Sequence, residues 1–258
     1  MGAAMSTRKG AAANPAPPTV CRVRLRFAKR GRLRFASHRD VARAFERAVR
    51  RAGVPVAHSH GFNPHPRLSW VGAAPTGTAS EAEYVEIGLT APVDPAALAG
   101  ALDAALPDGL DVLASVTAEP GTPALADLID ASRWRIELPE VAPADLASAL
   151  DVFLAAGEVV VQRVTKNGPR PVDARAAVVS AGLTGPDHPD ERTERASRKG
   201  CAIMTTVVRQ TTPAVRPDDV LGALRVVADL RPPVPVMATR LAQGLLDDRG
   251  CLTDPFDA

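Results

Sequence analysis

Cys21-Arg22-Val23-Arg24-Leu25-Arg26-Phe27 is the stretch that decides the fold. Its apolar and basic residues alternate strictly, so Cys21, Val23, Leu25 and Phe27 share one face of an extended strand and Arg22, Arg24 and Arg26 share the other. Lys29-Arg30-Gly31 follows as a turn, and Leu33 and Phe35 then alternate with Arg32 and Arg34, which predicts a prolonged strand or a hairpin. The arginine density is local. From Arg22 to Arg51 there are 12 basic and 2 acidic residues, whereas the whole chain carries 31 basic and 29 acidic residues. The net charge of +2 therefore hides a basic N-terminal module and an acidic remainder.

Outward from that strand, Ser37-His38-Arg39-Asp40 has the form of a capping box and opens a helix. Val41, Phe45, Ala48 and Ala52 recur on one side of it, and Gly53 and Pro55 end it. Arg39, Arg43, Arg47 and Arg50 or Arg51 fall at spacings of three to four on the opposite side and make a basic stripe. Strands are then expected at Val54 to His60, Leu68 to Val71, Glu83 to Leu89 and Leu110 to Thr117. A helix from Asp94 to Leu106 precedes the last of them, and Pro107-Asp108-Gly109 makes the turn. The order is βαββαβ, that of the ferredoxin-like split βαβ arrangement.

The second half repeats the order more loosely. Trp134, Ile136 and Leu138 alternate with charged residues, Pro143 to Ala155 reads as a helix, Glu158 to Val164 and Ala202 to Val208 as strands, and Pro217 to Leu230 as a helix. The expected fold class is α+β: tandem ferredoxin-like modules with antiparallel sheets behind a disordered leader. Residues 1–18 are that leader, 19–122 the basic module, 129–245 the second module with a flexible insertion at 182–199, and 246–258 a tail. The boundary falls near Glu119 to Leu128. Cys21, Cys201 and Cys251 are too scattered for a paired-cysteine motif and odd in number, which points to a reducing, cytoplasmic setting. No apolar run reaches the roughly 20 residues of a membrane helix.

In a ferredoxin-like module both helices cover one sheet face. With Val23, Leu25 and Phe27 turned to them, Arg22, Arg24 and Arg26 should lie on the open face beside Tyr84 and Glu86. Cations with an aromatic on an open sheet are the means by which RNA-recognition sheets hold phosphates and bases. The competing expectation is a solvated or domain-covered face with Glu86 neutralising the arginines. His38, His58, His60 and His65 cluster within 28 residues, and six of the nine aromatics lie between Phe27 and Tyr84, so any chemistry belongs here. His58, His60 and His65 are weak candidates for a metal, since no spaced carboxylate or cysteine supports them. His38 or His65 as general acid or base, with Tyr84 stabilising charge, would suit metal-free RNA cleavage. In Gly61-Phe62-Asn63-Pro64-His65-Pro66-Arg67 the prolines hold Asn63 and His65 in extended geometry, which suits recognition; the alternative is a crossover that keeps Phe62 in the core. The sequence lacks the cysteine cluster of an iron-sulfur site, a phosphate loop, a dinucleotide fingerprint and a zinc-protease motif. No cofactor is expected.

The run from Arg24 to Lys29 with Gly31 to Asp40, then Phe45-Glu46-Arg47-Ala48, Arg51 to Pro55, Ser59 to Pro66 and Ser80 to Tyr84, resembles the radical-SAM-linked family of uncharacterised bacterial proteins. The resemblance implies a domain fused to, or encoded beside, a cobalamin-binding radical SAM protein, which would be its partner. It singles out Ser37, His38, Asp40, Arg47, Asn63, His65, Arg67, Glu81, Glu83 and Tyr84 without implying a catalytic role for any. The leading expectation is a non-catalytic RNA-binding or substrate-presenting partner of a radical SAM enzyme, serving RNA modification or processing. Its RNA contacts would be Arg22, Arg24, Arg26, Arg32, Arg34, Arg39, Arg43, Arg47, Asn63, Arg67 and Tyr84. One rival is a metal-independent RNA-acting enzyme using His65, His38 and Tyr84. The other is a protein-docking module for the radical SAM protein.

Overall fold

A computed structural model describes residues 17–60, 62–184 and 200–258. The expected leader falls almost wholly, and the expected insertion largely, outside these residues. In the first half, strand β1 (Cys21–Lys29) buries Val23, Leu25 and Phe27 on one face, and helix α1 (His38–Arg51) lays Val41, Phe45, Ala48 and Val49 against them. Ser37 and Asp40 close the expected capping box. Strands β2 (Leu68–Val71) and β3 (Ala79–Leu89), helix α2 (Pro95–Asp103) and strand β4 (Val112–Ala118) follow. β1 pairs antiparallel with both β3 and β4, and β2 pairs antiparallel with β3, giving the order β4-β1-β3-β2.

The second half places β5 (Ala131–Pro139), α3 (Pro143–Ala155), a hairpin of β6 (Val160–Thr165) and β7 (Gly168–Asp173), and a single helical turn α4 (Ala174–Ala177). Then come β8 (Val178–Leu183), β9 (Cys201–Arg209), α5 (Pro217–Ala228), β10 (Met237–Leu246) and the two-residue β11 (Leu252–Thr253). Their core is separate and centres on Ile136, Leu138, Leu146, Phe153, Met204 and Leu224. The two halves nevertheless share one mostly antiparallel sheet of order β4-β1-β3-β10-β5-β9-β8. The seam is its parallel step, where Thr239 and Arg240 of β10 meet Ala79 and Ser80 of β3. β3 is long enough to carry β2 along one stretch and β10 along another.

Three expectations are corrected. Gly31–Phe35 is a 3-10 turn rather than more strand, closed by Leu33 N–H to the Arg30 carbonyl at 3.0 Å. Four alternating residues are too few to separate a period of two from one of three, and Arg30 anchors the turn by pairing with Glu81 and Asp111. Gly109 lets the chains meet there, since a Cβ on it would lie 2.9 Å from the Arg30 carbonyl oxygen. Val54 to His60 is no strand but two isolated bridges, Val56 to Leu89 and His58 to Pro66, because Pro55 has no N–H for a ladder. Finally, β6 lies outside the main sheet: the two-residue turn Lys166-Asn167, followed by Gly168 at φ 100°, folds it back on β7, and β8 takes the sheet position instead.

Candidate anion-binding site

The sheet face opposite the helices is where the sequence places the arginines. It is covered. Residues 119–129, including a 3-10 turn at Leu125–Leu128, and the C-terminal segment from β11 onward cross it and form a small core of Ala82, Tyr84, Leu125 and Ile129 with Phe256 against it. Arg24 is 4% exposed; its Nε donates to Glu86 at 3.0 Å and its Nη2 to the Pro123 carbonyl at 2.5 Å. Arg26 donates to Asp254 at 2.5 Å, and the Tyr84 hydroxyl donates to the same carboxylate at 3.1 Å. Tyr84 is 1% exposed, with Phe256 edge-on to its ring, so it offers no stacking surface and no catalytic hydroxyl to solvent. Burial and the neighbouring Asp254 charge push its pKa well above the ordinary phenol value. Arg22 stays exposed at the rim, 3.5 Å from Glu86. The competing expectation, a covered and neutralised face, describes this surface.

On the helix side the picture reverses. Arg39, Arg43, Arg47, Arg50 and Arg51 of α1 are exposed, and none has a carboxylate within salt-bridge distance among the described residues. Arg32 is exposed just before the helix, and Arg34 stacks over the exposed ring of Phe35 at 4.6 Å. The stripe arises because α1 commits its other side to Val41, Ala44, Phe45 and Ala48. Asp40 is engaged in the cap: the Ser37 hydroxyl and backbone, and to a lesser extent the Arg43 and Arg39 charges, hold its carboxyl below the usual range.

The Pro-rich segment is a small hairpin-like loop. Ser59 N–H donates to the His65 carbonyl at 2.8 Å, His65 N–H to the Ser59 hydroxyl at 3.0 Å, and Arg67 N–H to the Ala57 carbonyl at 2.7 Å. Phe62 at its tip is 96% exposed, so the expected alternative of a core anchor is overturned. The prolines and the backbone bonds leave the loop no reason to fold its aromatic inward. Asn63, His60, His65 and Arg67 are exposed with it, and His58 is half-buried. Among the described residues no group of three or more His, Cys, Asp or Glu is gathered to hold a metal.

Between α1 and β2 a cleft opens against the end of β1. Phe27, Val41, Trp70 and Ala74 form its walls, His38 stands at its mouth edge-on to Trp70 at 5.4 Å, and Lys29 and Glu83 lie inside. Both continue the core-facing parity of their strands past the end of the helix cover. Lys29 is 2% exposed and its ammonium donates to the Ala74 and Pro75 carbonyls, each at 3.1 Å. Burial pulls its pKa down; the Glu83 carboxylate works against this and Arg240 with it. Glu83 accepts from Ala74 N–H at 3.0 Å and from Arg240, whose guanidinium also reaches the Ser80 hydroxyl and lies over the Trp134 ring. Lys29 and Arg240 are the residues that sequence reasoning passed over. Lys29 sat in an apparent turn, and Arg240 comes from a strand that no pattern marked.

Residues 22–217 match a family described as uncharacterized protein conserved in bacteria. No curated protein matches the chain. Among the described residues no helix is long and apolar enough to cross a membrane.

Proposed function

Since the chain belongs to the DUF2344 family of uncharacterized conserved bacterial proteins, whose description prescribes no reaction, we propose that it is a non-catalytic RNA-binding module that presents its substrate to a radical SAM enzyme. The observation that carries this reading is the exposed arginine stripe of α1, no member of which lies within salt-bridge distance of a carboxylate among the described residues. Arginines at spacings of three to four along a helix match successive phosphates of a strand laid beside it, and such contacts need no sequence. Phe62 supplies an exposed aromatic of the kind that stacks on an unpaired base. The RNA contacts are therefore Arg32, Arg34, Arg39, Arg43, Arg47, Asn63 and Phe62; Arg24, Arg26 and Tyr84 are given to internal pairing. The cytoplasm is its place of action and a cobalamin-binding radical SAM protein its partner, as the sequence resemblance implies. On this reading the strand orders β4-β1-β3-β2 and β10-β5-β9-β8 are two ferredoxin-like units joined where β10 pairs with the stretch of β3 that β2 leaves free.

The test is fluorescence anisotropy of the full chain with single-stranded 5′-hydroxyl RNA and duplex DNA across a salt series. Binding should fall steeply with salt, and changing Arg39, Arg43 and Arg47 together to Gln should lower the slope of log K against log salt by about 2, at about 0.7 per phosphate contact on a single strand. Phe62→Ala should weaken single-stranded RNA more than duplex. A slope unchanged in the triple variant, or affinity no better than about 10⁻⁴ M, would sink the reading. Exposed Phe62 also suits a protein partner; tight binding to a purified radical SAM protein without RNA affinity would establish that docking role instead.

A further inference from the structure

We propose that Phe35 is a nucleobase-stacking platform, so that RNA on the α1 stripe is held as a single strand by one unpaired base at the start of the helix. This rests on the RNA reading above and adds a contact residue to it. The geometry begins in the period of the turn at Gly31–Phe35. In a 3-10 helix residues three apart eclipse one another, and Ala36 N–H closes the turn on the Leu33 carbonyl at 2.9 Å. Leu33 and Ala36 therefore point together against the N-terminal core, where both pack. Arg32 and Phe35 are turned outward as the other eclipsed pair, and both are exposed. Phe35 is 59% exposed even though the Arg34 guanidinium lies over its ring, 4.6 Å from the centroid. With one ring face under that cation, so large an exposure requires the other face to be open.

The platform is held in place from both ends. Arg30 ties the start of the turn to Glu81 and Asp111, and Gly77 N–H donates to the Arg34 carbonyl at 2.8 Å. Gly77, at φ 90°, comes up to the ring without a side chain; a Cβ there would meet the Phe35 Cε1 at 4.0 Å. The setting is cationic, since neither Arg32 nor Arg34 has a carboxylate within salt-bridge distance among the described residues. A lone phenylalanine on a surface means little. This one is backed by a guanidinium and pinned on an anchored turn. It stands four residues before Arg39, the interval that also separates Arg39, Arg43 and Arg47. Cations tracking a backbone with an aromatic for its bases are what a single-strand site requires. Stacking uses the π-face that every base has, so the site selects for an unpaired base and not for its identity. A base inside a duplex is already stacked on both sides and does not reach the ring.

The experiment measures fluorescence anisotropy of the full chain, with Phe35→Ala and Phe35→Trp beside it, against three probes: a single-stranded oligoribonucleotide, the same strand with abasic sites in place of its bases, and an RNA duplex of the same length. Phe35→Ala should weaken the intact single strand by about tenfold, the loss of one base–aromatic stack. It should leave the abasic strand and the duplex unchanged. The slope of log K against log salt should not move, because no phosphate contact is lost. Phe35→Trp should keep the affinity or raise it. Phe35 is exposed, so neither variant opens the core. Unchanged affinity for the intact strand in Phe35→Ala, or an equal loss for the intact and abasic strands, overturns the platform. If changing Arg39, Arg43 and Arg47 to Gln lowers the salt slope while Phe35→Ala loses nothing, the stripe stands and the platform falls. If Phe35→Ala weakens the intact strand alone while the triple variant keeps its slope, the stacking stands and the stripe falls. A chain that binds none of the three probes removes both.

Discussion

Tyr84 is the only tyrosine of the chain, which makes its burial directly measurable. Its phenol is raised above an unfolded value of about 10, so the folded state holds its proton where the unfolded state has lost it. The stability this contributes is complete below pH of about 10 and is lost as pH rises beyond that. Tyrosinate absorbance should therefore stay flat past the ordinary phenol range and appear only with unfolding, and Tyr84→Phe should remove that share of the alkaline loss; ionisation in the ordinary range with the fold intact would refute the packing described. Glu83 is the second residue with a large expected effect. Glu83→Gln leaves two buried cations without a carboxylate and should cost about 3–5 kcal/mol in denaturant unfolding. Neither residue announces this in the sequence, where Tyr84 and Glu83 are simply neighbours on a strand. Which face each joins depends on what later covers it.

At the scale of elements, β1, α1, α3 and β9 were legible because long periodic runs leave one reading, and Ser37 with Asp40 marked the start of α1. Ser37→Ala should cost about 1 kcal/mol, read as a shift in the thermal midpoint. Short runs were legible only in part: the four-residue β2 lies where it was expected, but two others do not. Gly31–Phe35 and Val54 to His60 each carry too few residues to fix a period, and the backbone bonds that decide them are made with Gly109, Gly88, Thr90, His65 and Arg67. The β6–β7 hairpin, turned at Lys166-Asn167 between the paired Thr165 and Gly168, was not read from the sequence. Of the candidate site, the α1 stripe could be read from spacing alone. The exposure of Phe62 could not, since an aromatic between prolines is equally compatible with an anchor.

At the scale of the molecule, the C-terminal segment explains why an arginine face expected to be open is closed. β11 runs so close to β10 that a Cβ on Gly244 would lie 1.8 Å from the Thr253 carbonyl oxygen. Gly244→Ala should therefore displace the segment and cost about 1–3 kcal/mol as an overpacked contact does. Deleting residues 247–258 should go further, removing Asp254 and Phe256 from Tyr84 and returning its ionisation toward the ordinary value, visible in the same absorbance titration. An unchanged titration would mean that residues 119–129 alone bury the ring. A reading of β1 could offer this closure only as an alternative, because it is made by residues far along the chain: Pro123 is 99 residues from Arg24 and Asp254 is 228 from Arg26.

The parallel seam between β3 and β10 has a consequence for the order of events during synthesis. A chain leaving the ribosome must reach Met237 before β3 can be paired at Ala79 and Ser80 and before Arg240 can meet Glu83. Until then the nascent N-terminal half presents an unpartnered stretch of strand edge, a feature that invites edge-to-edge association. A chain truncated before Met237 should therefore self-associate through that edge, which light scattering of the truncated chain beside the full one would detect.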